Sequence, residues 1–206
     1  IIKDGSTQWM TAGGGILHIE TPPEQLVISG GLFHGLQLWV NLPAAQKMVS
    51  PAYQNLDADQ VKLFTTPDAG TLVRLIAGDI AGIQGPGSTR TPIVMAHATI
   101  LPGSQMVLPW NPAFNALAHV VKGSGFVGID RHAFTVGQTA VFGTGDSITL
   151  AASPHEALDV ILLGGQPIGE PVEQYGPFVM NTRAELQQAM DDYQRGRLGT
   201  VPSGGV

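Results

Sequence analysis

The sequence predicts a mostly β fold of the sandwich or barrel kind, and three observations carry that reading. Glycine (27) and proline (15) are abundant in the 206 residues, as they are where many tight turns join short elements. Short apolar runs rich in Val, Ile, Leu and Phe recur between turn-forming residues, at 36–42, 72–77, 93–101, 116–121, 126–129, 140–142 and 159–163. Only two segments read as helix, the first of them short.

Composition narrows the function. At 43% hydrophobic residues the chain is too apolar for disorder and long enough for one large or two small cores. Ten basic against sixteen acidic residues give a net charge of −6 with no basic run, which argues against direct binding of nucleic acid. Cysteine is absent, so disulfides and thiolate metal sites are excluded. No apolar run reaches the roughly 18 residues a membrane helix needs. The expectation is a cytoplasmic protein, with a nuclear location open in a eukaryote, acting on a small or neutral organic partner. The start, Ile1-Ile2-Lys3-Asp4-Gly5, shows neither an initiator methionine nor the pattern of a signal peptide, so the chain is expected to begin within a domain.

The elements follow in order. Residues 17–20, Leu-His-Ile-Glu, alternate apolar and polar as a strand does. Residues 36–42 form the next strand, and a short helix at 44–48 follows Pro43. Residues 51–70 carry turn signals at Pro51, Pro67 and Gly70 and read as an irregular linker between two β-rich halves. Gly82–Ser88 reads as a flexible loop, since it lacks the Gly-Lys-Ser/Thr ending of a phosphate loop. Gly123-Ser124-Gly125-Phe126-Val127-Gly128 has dinucleotide-loop spacing, but turn and strand follow it rather than helix; it reads as a bend between antiparallel strands. Thr182-Arg183-Ala184-Glu185 is a capping box opening a helix over 183–195. Leu186, Ala189, Met190 and Tyr193 form its apolar face, and Gly196 ends it. Residues 203–206 read as a frayed tail.

The chemistry concentrates in His18 and Glu20. On a strand the two side chains share one face, and an imidazole nitrogen beside a carboxylate oxygen suits Fe(II), Mn(II) or Zn(II). They make half a metal site at most, and exposed polar residues on any half-buried strand show the same alternation. His34 is a minority candidate for a further ligand. His97, His119, His132 and His155 stand singly in apolar or turn contexts and read as structural. No G-x-S-x-G elbow is present, although a triad assembled from distant segments stays open.

The segment Gln8-Trp9-Met10-Thr11-Ala12-Gly13, with Gly15-Ile16-Leu17-His18 and Glu20, resembles the signature of the pirin family of the cupin superfamily. The resemblance continues through His34-Gly35-Leu36-Gln37-Leu38-Trp39-Val40-Asn41-Leu42, Thr89-Arg90-Thr91-Pro92 and Gly143-Thr144-Gly145-Asp146. It extends to 164–171 and 175–182, in the family's order. It implies an all-β bicupin of two antiparallel jelly-roll barrels with a C-terminal helix. The implied division is 1–43 as the remainder of the N-terminal barrel, 44–71 as linker, 72–166 as the C-terminal barrel and 167–206 as a tail. It also implies one divalent metal, usually iron, with Mn, Zn, Ni and Cu as alternatives. His18 and Glu20 would be two of its four ligands. The family's other two, a His-x-His pair on an earlier strand, have no counterpart here. The first barrel is therefore expected to be incomplete, its edge covered by an associated N-terminal peptide, a swapped or dimeric partner, or a rearrangement. The second barrel is expected to be complete and without metal.

Two functions follow from the resemblance. As an enzyme, the complete protein would be a quercetin 2,3-dioxygenase-like oxidoreductase. The metal would polarise a flavonol enolate, and Glu20 would also serve as the base for the flavonol hydroxyl. As a regulator, it would act through protein contacts, with transcription factors or metabolic enzymes as partners. This chain alone is expected to have little activity.

Overall fold

The computed structural model describes residues 3–199; the expected tail at 203–206 and the first two residues lie outside them. Along the chain come β1 (Thr7–Thr11), α1 (Glu24–Ser29), a single 3₁₀ turn (Ala44–Gln46), β2 (Ala52–Leu56), β3 (Lys62–Thr65), β4 (Thr71–Ala77), β5 (Asp79–Ile80) and β6 (Ile83–Gln84). Then follow β7 (Ile93–Ile100), β8 (Gln105–Pro109), β9 (Asn115–Lys122), β10 (Ser124–Val127), β11 (His132–Thr135), β12 (Thr139–Val141), β13 (Ser147–Ala152) and β14 (Leu158–Gly165). The chain closes with β15 (Glu173–Tyr175), β16 (Phe178–Met180) and α2 (Arg183–Gln194). They fall into two compact units. One comprises Asp4–Trp9 and Gln54–Pro167; the other is built mainly of Met10–Tyr53 and the residues from Ile168 onward.

The first of these units is built of two antiparallel sheets sharing one core. A six-stranded sheet of order β12-β9-β14-β7-β4-β3 faces a four-stranded sheet of order β11-β10-β13-β8, and the pairings are antiparallel. The strand alternation of side chains builds the core. On β7, Val94, Ala96, Ala98 and Ile100 are buried while the intervening residues are part-exposed. Val73 and Leu75 of β4 and Leu162 of β14 join Met106, Ile148 and Leu150 of the smaller sheet in one hydrophobic cluster. A fully buried aliphatic side chain stabilises by about 1.5–3 kcal/mol, so this cluster carries the unit. The register of β14 against β9 shifts between Asp159 and Val160, a β-bulge near the end of β9.

Several local expectations change. Residues 51–70 are not irregular: they hold β2 and β3, and β3 is hydrogen-bonded to β4 along Lys62–Thr65. Four- and five-residue strands with few branched apolar residues leave little pattern to read. The loop 82–88 is not loose. The N–H groups of Gly85 and Gly87 donate to the carbonyls of Gly78 and Ile76, and a Cβ on either glycine would lie 2.8 Å from an atom of Ala77 or Ile76. The 123–128 glycines form a corner. Gly123, at φ +83°, turns the chain from β9 in one sheet to β10 in the other, and β11 rather than a helix follows.

In the other unit, β15 and β16 form a hairpin leading to α2. The capping box is present: the Thr182 hydroxyl accepts from the Glu185 N–H at 3.2 Å, and the Glu185 carboxylate accepts from the Asn181 N–H at 3.2 Å. Leu186 is buried, and the Tyr193 ring lies 6.2 Å from that of Phe178. The expected helix at 44–48 shortens to the 3₁₀ turn, and α1 was not foreseen. The expected strands at 17–20 and 36–42 do not form; both segments are irregular.

Candidate functional site

His18 and Glu20 lie beyond the end of β1. Gly13 and Gly15 adopt φ +54° and +119°, and the Gly15 N–H donates to the Ala12 carbonyl, which turns the chain out of β1 before His18 is reached. Strand alternation therefore does not bring the pair together. They meet all the same: His18 Nδ1 lies 3.6 Å from Glu20 Oε1, with the side chains 42% and 53% exposed. The expected packing behind them is missing, since Ile19 is 58% exposed.

Glu20 has a second contact that strand periodicity does not foretell. The Gln37 side-chain amide donates from Nε2 to Glu20 Oε2 at 3.0 Å, so one carboxylate oxygen faces the imidazole and the other faces an amide. Gln37 sits in an irregular segment with exposed Leu36, Trp39 and Val40. That segment is held at its far end by a buried cation. Lys47, only 6% exposed, donates from Nζ to Asn41 Oδ1 at 2.5 Å and to the Leu42 carbonyl at 2.8 Å. Burial pushes its ammonium below the usual lysine range, and the carboxylates of Glu170 and Glu185 oppose that shift. Glu170 in turn accepts from the Ala44 N–H at 2.7 Å and the Asn181 amide at 2.9 Å. A lone polar residue in an apolar run, Gln37, was the available signal for this arrangement.

The pair fits two neighbouring positions of a divalent metal by donor chemistry. Among the described residues no group of three or more His, Cys, Asp or Glu side chains stands together as a metal site, so His34, which is exposed, does not complete it. The other histidines lie elsewhere. His97 and His119, on β7 and β9, both face Ile161 of β14 in register. Burial holds the His97 imidazole below its ordinary 6.5; Asp159, at 3.5 Å, opposes this and Arg74 adds to it. Asp159 also accepts from the Thr99 hydroxyl at 2.6 Å, and His119 Nδ1 shares a 2.8 Å hydrogen bond with Thr139 Oγ1. His132 and His155 are exposed. An open cavity of about 510 Å³ beside Trp110 and Phe114 has one ionisable lining residue, Asp79, whose carboxylate accepts the Gly82 N–H. It holds no acid–base pair.

Antiparallel β sheets sharing one core and a C-terminal helix are the architecture of a cupin-type protein of the two-barrel class. Its nearly whole length superposes on a quercetin 2,3-dioxygenase from Acinetobacter baumannii with a TM-score of 0.87 and 33% identity, over 97% of this chain and 68% of that one. The protein GK1651 from Geobacillus kaustophilus matches with a TM-score of 0.64 and 31% identity, over 80% of this chain and 65% of that one. The family profile described as the pirin C-terminal cupin domain matches residues 95–199, and the pirin profile matches residues 1–40. The chain is 40% identical over 201 residues to Pirin-1 of Arabidopsis thaliana, covering 96% of this chain and 67% of that protein. It is 36% identical over 200 residues to pirin of Homo sapiens, with 96% and 67% covered. The chain belongs to the pirin family. It spans about two thirds of the length of these relatives.

Proposed function

We propose that this chain is part of a metal-binding cupin protein, iron being the metal favoured, with His18 and Glu20 as two ligands and the remaining donors supplied by residues outside this sequence. An associated N-terminal peptide is one source of those donors. The observation that carries the reading is the 3.6 Å approach of His18 Nδ1 to Glu20 Oε1 in a segment without strand pairing to impose it. With its ligand set complete, the protein is proposed to act as an oxidoreductase of the quercetin 2,3-dioxygenase type on a flavonol-like substrate; the 33% identity to the A. baumannii protein supports this choice. A divalent metal held there by His18 and Glu20 with the remaining donors would supply Lewis-acid polarisation of an enolate oxygen and a route for electrons to O₂. Glu20 would supply a carboxylate to take up the proton of a flavonol hydroxyl, and His18 would supply an imidazole nitrogen as a donor to the metal.

A second reading, a regulator working through protein contacts, draws on the exposed apolar side chains of Leu32, Phe33, Trp39 and Val40 in an acidic chain. Metal analysis of the purified protein beside oxygen uptake with quercetin separates the two. Stoichiometric iron with quercetin-dependent oxygen uptake, both lost in Glu20→Ala, is the outcome expected of the enzyme. Bound iron with no oxygen uptake removes the dioxygenase reading. Metal held stoichiometrically by these 206 residues alone would show that this chain supplies the missing donors itself.

A further inference from the structure

Nothing in the local backbone holds the Glu20 carboxylate. It lies in an irregular, exposed segment, and the terminal torsion of a glutamate is broad and nearly two-fold, so its two oxygens exchange roles freely unless a neighbour distinguishes them. One neighbour does so. Gln37, seventeen residues on, donates its amide N–H to Oε2 at 3.0 Å, and Oε1 is the oxygen left facing His18 at 3.6 Å. Only the nitrogen of an amide can donate, so this contact fixes the orientation of Gln37 as well. A hydrogen bond to an ionised carboxylate is about twice as strong as a neutral one, enough to bias one rotamer in an exposed place.

The reach of Gln37 is itself constrained. Its segment takes no part in a sheet, but four residues later Asn41 and Leu42 are pinned by the buried Lys47 ammonium. Lys47 lies beside Ala44, whose N–H is bound by Glu170. A chain of hydrogen bonds within one compact unit thus anchors the segment that presents Gln37.

We infer that Gln37 is a positioning residue for Glu20. It takes up Oε2 and leaves Oε1 as the single oxygen aimed beside the His18 imidazole, which selects one-oxygen binding of a cation over two-oxygen chelation. The inference rests on the proposed metal site and adds to it which oxygen binds and what chooses it. Groups that orient metal ligands from behind characteristically change affinity about 10–100-fold when removed.

The test uses Co(II) alone as probe on the protein with its remaining donors present, reading affinity and the visible d–d spectrum of the same samples. Gln37→Met, which keeps length and removes the donor, is expected to bind Co(II) about 10–100-fold more weakly, with shifted d–d bands. Glu20→Ala combined with Gln37→Met is expected to bind no more weakly than Glu20→Ala alone. If Gln37→Met keeps wild-type affinity and spectrum while Glu20→Ala loses affinity, the inference is overturned and the metal reading stands. If Co(II) ignores the Glu20→Ala change or does not bind at all, the metal reading falls, and the side-chain amide resonance of Gln37 decides the inference. A shift in that resonance on Glu20→Ala but not on His18→Ala supports the contact; no shift overturns it.

Discussion

The two-sheet β unit and the segment carrying His18, Glu20 and Gln37 are held by different forces. In the first, position follows from packing: Leu75, Ile100, Met106, Leu150 and Leu162 are all fully buried, and the strand registers leave each side chain one place to go. In the second, Leu32, Phe33, Leu36, Trp39 and Val40 are exposed, and position follows from a few directed hydrogen bonds, Gln37 to Glu20 and Lys47 to Asn41 and Leu42. The regular region rests on many packed contacts at once. The irregular one, proposed above to carry the chemistry, depends on single contacts.

The sharpest way to break this contrast is a matched pair of truncations. Leu162→Ala is expected to destabilise by about 2–5 kcal/mol in urea unfolding, as a fully buried leucine does, whereas Trp39→Ala should stay within about 0.5 kcal/mol despite the larger side chain removed. A large effect at Trp39 would mean that the exposed segment is packed in solution.

A smaller effect is expected from Lys47→Met. Hydrogen bonds to a charged group are worth about 1.5–3 kcal/mol, and this change removes those to Asn41 and Leu42. The loss should be local: faster amide exchange in residues 34–42 with β7 and β14 unchanged. Uniform acceleration through the chain would show that Lys47 supports global stability instead.

The smallest effect tests the outer face of the β unit. Burial lowers the His97 pKa below 6.5 in the folded state, so the unfolded chain takes up its proton first on acidification. Stability is therefore undiminished above about pH 6.5 and falls as pH drops through the folded value. His97→Gln should flatten the acid side of the urea-midpoint profile. An unchanged slope would assign that loss to other groups.

What the sequence revealed divides along the same line. The apolar run at 93–101, which becomes β7 with alternate residues buried, and the box of Thr182 and Glu185 are local patterns that the packed structure also uses, and both were legible. His18-Ile19-Glu20 shows the same alternation, yet no strand forms, because a strand needs a paired neighbour and Gly13 and Gly15 turn the chain first. The strand face that His18 and Glu20 were expected to share does not exist, although their side chains approach to 3.6 Å. Gln37 and Lys47 had no periodicity to betray them. Their roles arise from contacts made across the irregular parts of the fold, which no window of sequence contains.

The hydrogen bond from Ala44 to Glu170 also has a temporal side. Its two residues belong to one compact unit but are separated in the chain by Gln54–Pro167, the main part of the other. A ribosome adding about 5–20 residues per second emits the β unit between them over on the order of ten seconds. During that interval the segment from Met10 to Tyr53 waits without Glu170, Asn181 or α2. The residues proposed to bind metal therefore complete their surroundings last, after the barrel beside them in sequence has had time to fold.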